Sequence, residues 1–599
     1  MTVSLRRKGW IALLGATALP AALLSSMTHA GAGSSPALSL SNIADYGGEP
    51  SLVSDSHGTL YAATPSGGTL TYRSTDKGAT WQATTTADKN SGDDCLGVDQ
   101  SDAVYLCNLA GSQGKLPLQA DVFKSTDKGG SWAHGAGFAP MCATSCNPFG
   151  VDRDWVDAAI LPPNTSTDKS EVVLMYHDFY GPSAIWVNIS TDGGKTFGTP
   201  IDVLAQPAIT PGAVQGTLVA QGYTFCNTVP AGVGIVRPGL PHAGRIYVGW
   251  IAADLPQDLE GCNITQLESF HTVWISWSDD GGATWTAQQA YDAGIGHDTS
   301  TPFIAMTLDN QGNPYFGFAA QAPGSNPATC AAESAAGTLQ SDTSCQYNMN
   351  VVWSQDGGAT WDGGGGLIPG SAATAYQVNP PGETGTHFYP AIAAGNPGQV
   401  DVAYLYTPTV LPTNPGGKAL AGGCAGPDPT IGNPPTYPAA CNWNLYFGQS
   451  VNLTSTPDTA TWKTVAATTT PMHVGDICNL GIFCLAPSSN RHLLDFIQIA
   501  IDPTTGCAHI AYPDDNTVNK LRAANQTAGC LTLAAMQPRA TATPATPTAT
   551  ATPGAAPVGI PNTSAASGGG AGAGVAAAVA LLAGGALASL RRGRRRMQH

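Results

Sequence analysis

The sequence predicts an all-β fold built from repeated four-stranded antiparallel sheets. Three observations lead to this prediction: an eight-residue turn that recurs along the chain, apolar–polar alternation in the segments around it, and turn residues between those segments. Alternation with a period of two is the pattern of a strand with one buried face. The turn reads STDKGATW at 74–81, STDKGGSW at 125–132, STDGGKTF at 190–197, SDDGGATW at 278–285 and SQDGGATW at 354–361.

Each repeat has the same order of elements around that turn. In the first repeat the strands PSLVSD (50–55), TLYAAT (59–64) and LTYRS (70–74) precede the turn, and a fourth strand follows it. Further segments fit the same template and give seven repeats, with six as the alternative. The last repeat lacks a fourth strand, whereas ALSLSNIAD (37–45) is a strand without a repeat. We therefore expect the first strand to complete the last sheet, which closes a β-propeller and removes a sheet edge.

The recurring turn has a structural explanation. An Asp at its third position can accept N–H bonds from the residues that follow, and a Gly at its fifth position allows a positive φ. The closing Trp or Phe is expected to pack between neighbouring sheets. Identical turns spread around a ring cannot converge on one substrate, so we expect their aspartates to stabilise the fold: Asp76, Asp127, Asp192, Asp280 and Asp356. The sixth repeat has a degenerate version, STPDTATW at 455–462.

These turns resemble the Asp-boxes, also called BNR repeats, of β-propellers in the sialidase superfamily. Five good copies and the degenerate sixth cover most of residues 37–536, so the resemblance implies the fold of this whole segment. It implies less about activity, because one fold hosts many functions. In that family the turns lie on the face away from the active site, which places a candidate site here on the opposite face.

The two ends of the chain predict export and anchoring. Residues 1–30 are expected to be a signal peptide, because basic residues at 6–8 precede a short apolar run and a small-residue cleavage site. Residues 571–590 are apolar and long enough to span a bilayer, and the arginine-rich tail 591–599 fixes its cytoplasmic side. The Pro-, Thr- and Gly-rich segment 537–570 is expected to form an extended stalk.

This order of segments resembles that of Gram-positive cell-surface proteins, many of which carry an LPxTG sortase motif before the helix. The nearest match runs from Ile560 to Ser564, with Ile in place of Leu and Ser in place of Gly. Both departures favour anchoring by the helix over attachment to the cell wall. We therefore expect an extracellular domain, residues 37–536, held at the cell membrane.

The extracellular domain carries a strongly negative charge. The full chain has 25 Lys and Arg against 41 Asp and Glu. Nine of the basic residues lie in the signal, stalk and tail, which leaves 16 basic against 41 acidic residues and a net charge of −25 for residues 37–536. Such a field repels nucleic acids and anionic polymers, so a nucleic-acid partner is excluded from the expected functions.

All 14 cysteines fall within the extracellular domain, and an even number in an exported chain indicates disulfides. The spacings match no zinc pattern of paired CxxC motifs. Sequence does not fix connectivity, and pairing of neighbours is one arrangement that keeps every bridge local: Cys95–Cys107, Cys142–Cys146, Cys226–Cys262, Cys330–Cys345, Cys424–Cys441, Cys478–Cys484 and Cys507–Cys530.

Three long loops and a set of polar residues fall on the face opposite the turns. The loops, about 252–271, 320–346 and 407–441, join second and third strands, and such loops often carry binding sites. The alternative for the loops is that they are insertions without a function. The alternative for the polar residues is that they line a water-filled channel. Polar residues where the first strands begin are expected to converge on the axis: Glu49, Asp93, Asp94, Arg153, Asp154, Trp155, His297, Asp298, His387, Tyr389, Arg491, His492 and Asp495.

Sialidases hold the substrate carboxylate with three arginines and use a Tyr nucleophile paired with Glu and an Asp acid/base. The resemblance therefore implies these candidate catalytic residues: Asp94, Arg153, Arg237, Glu383, Tyr389 and Arg491. The first repeat has EPSLVSD (49–55) where those enzymes have an Arg-Ile-Pro motif. A different glycosidase would need two carboxylates about 5–10 Å apart, and the candidates are Asp94, Asp154, Asp298 and Asp495.

The stalk, the anchor and the missing arginine motif favour a monomeric module that binds a glycan or a surface protein. An exo-glycosidase of the sialidase type is the alternative. The sequence indicates no cofactor. Acidic loops offer oxygen ligands for Ca²⁺, although no EF-hand spacing is present.

Overall fold

Antiparallel sheets dominate the described part of the chain, as the alternating sequence predicts. The computed structural model describes residues 34–65, 68–88, 91–110, 119–135, 151–178, 185–205, 218, 223, 227–253, 270–294, 297, 303–321, 325–336, 345–361, 375–410, 441–453, 460–475, 477, 493–516 and 520–533. By their internal contacts the residues form two compact units, Met1–Ser34 and Ser35–His599. Every element described below belongs to the second unit. The predicted all-β class is confirmed; the described residues include one α-helix, α1 (Pro327–Ala336), and one 3-10 helix, Thr167–Lys169.

The first four sheets after the N-terminal strand are four-stranded meanders with strands in chain order. Sheet 1 contains β2 (Ser51–Ser54), β3 (Leu60–Pro65), β4 (Thr69–Ser74) and β5 (Gln82–Ala83). Sheet 2 contains β6 (Ser91–Val98), β7 (Val104–Ala110), β8 (Gln119–Ser125) and β9 (Ala133–His134). Sheet 3 contains β10 (Val151–Ala159), β11 (Glu171–Asp178), β12 (Ile185–Ser190) and β13 (Ile201–Asp202). Sheet 4 contains β14 (Thr228–Ile235), β15 (Ile246–Ala253), β16 (Phe270–Ser278) and β17 (Thr286–Asp292).

The next nine strands form one sheet that consists of two antiparallel parts, and we number these parts sheets 5 and 6. Sheet 5 contains β18 (Ala305–Leu308), β19 (Pro314–Gln321), β20 (Tyr347–Trp353) and β21 (Tyr376–Gln377). Sheet 6 contains β22 (Thr386–Ala394), β23 (Val400–Thr407), β24 (Asn442–Ser450), β25 (Trp462–Ala466) and β26 (His473–Val474). A single parallel pair, Tyr347 with Thr386, joins the two parts.

The last sheet combines both ends of the folded segment. Sheet 7 contains β27 (Gln498–Ile501), β28 (Ala508–Asp514), β29 (Lys520–Ala528) and, beside β29, β1 (Ala37–Ala44). The register runs from Ala37 opposite Ala528 to Ala44 opposite Leu521. The N-terminal segment that the sequence left without a repeat is therefore the fourth strand of the last sheet.

Apolar clusters fill the spaces between successive sheets. Separate clusters lie between sheets 1 and 2, 2 and 3, 3 and 4, and 4 and 5. A larger cluster spans sheets 5, 6 and 7, and another joins sheet 7 to sheet 1. The first strands also contact one another in succession, β2 with β6, β6 with β10, and on to β22 with β27 and β27 with β2.

A buried Asp closes the hairpin between the first two strands in three sheets. Asp55 Oδ1 accepts the backbone N–H groups of His57 and Thr59, and Oδ2 accepts the Tyr61 hydroxyl at 3.1 Å. The same bonds hold Asp99 with Tyr105 and Asp309 with Tyr315. A buried carboxylate with several donors costs less to bury, so this Asp-to-Tyr spacing of six residues fixes the hairpin.

The five recurring turns, here called the Asp turns, share one set of hydrogen bonds. In the first, Asp76 Oδ1 accepts the Ser74 hydroxyl at 2.8 Å and the Thr80 N–H at 2.9 Å, and Oδ2 accepts the Thr80 hydroxyl at 2.6 Å. Gly78 has a φ of 80° and donates its N–H to the Ser74 hydroxyl. The aspartates in the other four turns make the same contacts: Asp127, Asp192, Asp280 and Asp356.

The closing aromatic residues of the Asp turns differ in burial. Trp285 and Trp361 are buried and each donates its indole N–H to the carbonyl of the turn's glycine. Trp81 makes the same bond but is partly exposed, and Trp132 instead donates to the Thr85 carbonyl of sheet 1. The turn sequence thus predicts the local bond pattern, whereas the neighbouring sheet decides how much of the ring is buried.

In the sixth repeat an Asn accepts the hydrogen bonds that the Asp accepts in the other turns. Asn452 Oδ1 accepts the backbone N–H of Thr461 at 3.0 Å and its hydroxyl at 2.9 Å, and Ser450 stands two residues before it. The intervening residues 454–459, which include the Asp of the degenerate motif, lie outside the described part of the chain. An insertion between the two halves of the turn explains why the motif looks degenerate in the sequence.

Acid titration provides a test of the Asp turns. Hydrogen bonds from Ser131 lower the pKa of Asp127, so its carboxylate stabilises the fold above the unfolded-state pKa and loses that contribution as the pH falls. Asp127→Asn, which is always neutral, should reduce stability at pH 7 by less than about 1 kcal/mol because the turn is exposed. Its difference from wild type in urea unfolding should shrink between pH 6 and pH 3; a difference that grows would contradict the assignment.

Three of the predicted disulfides are present: Cys95–Cys107, Cys330–Cys345 and Cys507–Cys530. Cys441 is also disulfide-bonded. Its expected partner Cys424 and the other predicted pairs, Cys142–Cys146, Cys226–Cys262 and Cys478–Cys484, lie outside the described residues.

The segments predicted at the two ends, 1–30, 537–570, 571–590 and 591–599, also lie outside the described residues. Among the residues that are described, we find no helix of the length and apolarity needed to cross a membrane.

Candidate functional site

Residues from sheets that are not neighbours in sequence order meet where the first strands begin. We call this group the central cluster; its members are Asp94, Arg153, Asp154, Phe303, Tyr389, Asp495 and Phe496. Arg153, on β10, lies with Nη2 3.7 Å from Asp495 Oδ2 in the segment before β27. Its guanidinium also lies over the rings of Phe303, at 4.8 Å, and Phe496, at 5.2 Å. Sheets 3, 5 and 7 therefore meet at this point.

Aromatic rings line the same cluster. The Tyr389 ring stacks on Phe303 with centroids 4.9 Å apart, and its hydroxyl donates to the Leu494 carbonyl at 3.4 Å. Phe496 makes edge contacts with Phe303 at 5.6 Å and with Trp155 at 6.2 Å. A guanidinium between aromatic faces is favourably placed because the ring quadrupole attracts the cation.

The backbone is unusual at several of these positions. Glu49, Arg153, Tyr389 and Leu494 all have positive φ values, between 47° and 58°. The pairing of β10 with β11 shifts between Asp152 and Asp154, and that of β22 with β23 shifts between Phe388 and Ala391. Bulges of this kind turn a side chain away from its regular direction and are common near functional sites. Here they present Arg153 and Tyr389 to the cluster.

Asp94 and Asp154 form a close acidic pair within the cluster. Both carboxylate oxygens of Asp94 are buried, and neither has a well-formed hydrogen bond from a described residue. Burial, and after it the charge of Asp154, raise the pKa of Asp94 well above its usual range, and the Ser51 N–H opposes this weakly. Asp94 therefore holds its proton to higher pH than an exposed Asp, as a general acid must.

The neighbouring disulfide helps to position this pair. An oxygen of Asp154 lies within 4.8 Å of the sulfur atoms of both Cys95 and Cys107. The disulfide joins opposed residues of β6 and β7, so the backbone on which Asp94 sits is held rigidly. Because both thiols are oxidised, they do not act as metal ligands here.

One of the sialidase-type candidates, Arg237, lies away from the central cluster. Arg237, after the end of β14, makes a paired contact with Asp157, with Nη2 2.7 Å from Oδ1 and Nη1 3.2 Å from Oδ2. It also donates to the carbonyl oxygens of Ala158 and Val98, at the ends of β10 and β6. Arg153 lies at the beginning of β10, about 13 Å along the strand from Asp157. Arg237 thus joins sheets 2, 3 and 4 at the opposite end.

Glu383 is paired with His387 instead of Tyr389. Its Oε2 lies 3.1 Å from His387 Nε2, and His387 Nδ1 lies 2.6 Å from the Tyr347 carbonyl oxygen. The His387 ring stacks on Tyr406 at 4.8 Å. Burial and then the charge of Glu383 raise the pKa of Tyr406 to about 12. The Tyr389 hydroxyl contacts the Leu494 carbonyl oxygen, so the Tyr–Glu nucleophile pair suggested by the resemblance stays a prediction.

Of the remaining candidate residues, some are described by the structure and others lie outside the described residues. Glu49 is buried beside the start of β2, and Asp93 precedes Asp94 on β6. His297 Nδ1 lies 3.0 Å from the Ser325 hydroxyl, and burial lowers the pKa of His297. Three candidates lie outside the described residues: Asp298, Arg491 and His492. The same is true of most of the three long loops, apart from α1 and the Cys330–Cys345 bridge in the second of them.

Phe303 and Phe496 are the members of the central cluster that the sequence analysis did not identify. Both precede the first strand of a sheet by two residues, in TPFIAM and LDFIQI. An aromatic residue at that position in the repeat was the available signal. That signal is weak, because an aromatic residue before a strand is usually part of the core.

One further group of potential metal ligands occurs among the described residues. Asp55, His57 and Asp102 each place an atom within 4.8 Å of the others. The Asp55 oxygens already accept hydrogen bonds from the hairpin, and Asp102 accepts the Ser56 N–H and hydroxyl. These contacts account for the group without a cation.

No protein-family model matches the chain. A PL25 ulvan lyase is similar over 80% of this chain and 94% of its own, with 14% identity and a TM-score of 0.39. An α-L-arabinofuranosidase from Fusarium graminearum is similar over 63% and 94%, with 12% identity and a TM-score of 0.33. The intramolecular trans-sialidase from Ruminococcus gnavus is similar over 80% and 94%, with 14% identity and a TM-score of 0.29. Likenesses this distant carry no argument about activity.

Proposed function

We propose that the chain is a cell-surface protein whose extracellular domain is a closed ring of seven sheets that binds glycans at the central cluster. Three observations support a closed ring: β1 pairs with β29, an apolar cluster joins sheet 7 to sheet 1, and β27 contacts β2. The single parallel pair between sheets 5 and 6 supports counting them as separate blades. The signal, stalk, helix and tail at 1–30 and 537–599 support export and anchoring.

The central cluster is the observation that carries the binding proposal. Sugars are recognised by aromatic faces together with a few fixed polar groups. The cluster has both types: its polar groups are buried, and Phe496, with Trp155 beside it, is partly exposed and can meet a ligand. Its polar members are held by positive-φ bulges and a disulfide, so little ordering is needed when a ligand binds. The net charge of −25 in residues 37–536 disfavours an anionic sugar. We therefore favour a neutral or cationic glycan.

Glycoside hydrolysis is the second candidate, and the Asp94–Asp154 pair is the observation that favours it. Hydrolysis needs one carboxyl that keeps its proton and one that is ionised, and the raised pKa of Asp94 supplies the first. A sialidase-type site has less support, because Arg237 is bound to Asp157 and Glu383 to His387. Among the described residues Arg153 is the arginine in the cluster, and Arg491 lies outside them.

A screen of the purified full-length chain in detergent distinguishes these functions. Retention on a glycan array without turnover of fluorogenic glycosides supports the binding module, and turnover supports the hydrolase. If neither retention nor turnover is found with neutral, cationic or anionic glycans, the glycan proposal is wrong. A protein ligand would then be the remaining role for this face.

Asp94→Asn separates the two candidates further. If Asp94 is a general acid, the variant should lose at least about a hundredfold in turnover, while glycan retention remains. Because the pKa of Asp94 is raised on folding, ionisation of this group destabilises the native state as the pH rises. The variant should therefore gain thermal stability relative to wild type at pH 8 and not at pH 4. Asp102→Asn, at the other end of the first strands, is the control. It weakens the contacts with Ser56, so it should leave turnover unchanged and should not raise thermal stability at pH 8.

A further inference from the structure

A cavity of about 420 Å³ lies between sheet 7 and sheet 1, outside the central cluster. One side is formed by the end of β1 and the residues after it, and the other by β4 and β5. Its lining residues are Asn42, Ile43, Ala44, Asp45, Tyr46, Leu70, Tyr72, Trp81 and Ala83. The volume lies in the range of small-molecule sites.

The composition of this cavity is distinctive. Three of its nine lining residues are aromatic, Tyr46, Tyr72 and Trp81, one is an acid, Asp45, and none is basic. All three rings are partly exposed, and no stacked or edge contact joins any two of them. Tyr72 and Trp81 pack in part against the apolar cluster between sheets 7 and 1, and the exposed parts of the three rings remain available to a ligand.

The Trp81 ring and the Tyr72 backbone are held in position before any ligand binds. The Trp81 indole donates to the Gly78 carbonyl at 3.1 Å, and the same carbonyl accepts the Asn525 side-chain amide of β29 at 3.0 Å. Tyr72 lies in the middle of sheet 1, where its backbone pairs with Ala62 and Ala83. A preformed site of this kind loses little conformational entropy on binding.

The Asp45 carboxylate favours a positively charged ligand. Asp45 is exposed at the cavity, and its charge, after burial, raises the pKa of the Tyr72 hydroxyl, so the two groups are close. No ion pair joins Asp45 to a basic residue in the described part of the chain. A neutral ligand gains nothing from this charge, whereas a cation is attracted both by the carboxylate and by the electron-rich ring faces.

We infer that this cavity binds a cationic alkylated amine, such as a quaternary ammonium group, between Tyr46, Tyr72, Trp81 and Asp45. Methyl groups on the nitrogen spread the positive charge over an apolar surface, which suits aromatic faces better than a strongly hydrated ammonium does. The net charge of −25 in residues 37–536 attracts such a ligand to the domain. The site is independent of the proposed glycan-binding function.

Calorimetric titration of the full-length chain with choline chloride tests the inference. We expect one site per chain whose affinity falls as NaCl is added, because the carboxylate contributes through its charge. The uncharged isostere 3,3-dimethyl-1-butanol should bind at least about tenfold more weakly. Equal binding of the two compounds, binding of glucose instead of choline, or no heat from any of them would each overturn the inference.

Matched variants locate the site. Asp45→Asn and Trp81→Leu should each weaken choline binding by about five- to tenfold. Trp132→Leu alters the equivalent position of the second Asp turn, away from the cavity, and should bind choline like wild type. Asp168→Asn is the corresponding control for the acid, since Asp168 is exposed in the 3-10 helix between β10 and β11 and pairs with Lys195. Losses of similar size in the control variants would overturn the inference even if choline binds.

Discussion

Arg153→Met is expected to lower the free energy of unfolding by about 3–5 kcal/mol, because it removes one partner of a buried ion pair. Arg153 and Asp495 have only 6% exposure each, so the remaining carboxylate cannot be solvated by water. The variant also removes a cation from between Phe303 and Phe496. Urea unfolding of the full-length chain, followed by circular dichroism, measures this loss.

Arg73→Met is the control for this variant. Arg73 is partly exposed on β4, and its guanidinium donates to the Lys128 carbonyl at 3.3 Å. The control should cost less than about 1 kcal/mol, as expected for an exposed contact. If the two methionine variants are equally stable, Arg153 does not occupy the buried position described here.

Trp285→Ala should be the most destabilising substitution among the tryptophans of the Asp turns, at about 3–5 kcal/mol. Trp285 is 2% exposed and belongs to the apolar cluster between sheets 3 and 4. Removal of the indole leaves a cavity among residues that are fixed on strands, so the surroundings can collapse only in part. The urea midpoint of the purified variant measures the effect.

Trp132→Ala is the matched variant at the same position of the second Asp turn. Its ring is partly exposed, so the loss should be below about 2 kcal/mol. The two positions share the turn sequence but differ in burial. Comparing the two losses therefore shows how much of the stabilisation comes from burial of the ring. Equal losses at both positions would mean that the turn itself, and not packing between sheets, accounts for the stabilisation.

The sequence predicts the sheets well because their determinants are local. Strand alternation, the Asp turn and the six-residue Asp-to-Tyr spacing all act within one hairpin, so each can be read from a short segment. The fourth strand of sheet 7 could also be predicted, since an unpaired strand and an incomplete sheet occur at opposite ends of the domain. The sixth turn could not, because an insertion separates Asn452 from Thr461.

The central cluster could be predicted in part. Its polar members occupy equivalent positions in the repeats, so the template alone placed Asp94, Arg153, Asp154 and Asp495 near one another. The pairing of these side chains depends on contacts between sheets, and the repeat template contains no information about such contacts. Arg237 follows the end of its strand and bonds to Asp157. Glu383 contacts His387, and the Tyr389 ring stacks on Phe303.

We propose that the Asp turns maintain the fold while the face that carries the central cluster binds the ligand. The most direct test compares glycan retention by two folded variants, Trp155→Ala beside the central cluster and Trp132→Ala in an Asp turn. Retention per folded molecule should fall at least about tenfold for Trp155→Ala, since stacking on an aromatic face is lost. It should be unchanged for Trp132→Ala. The opposite result, with retention lost only in the turn variant, would contradict the claim.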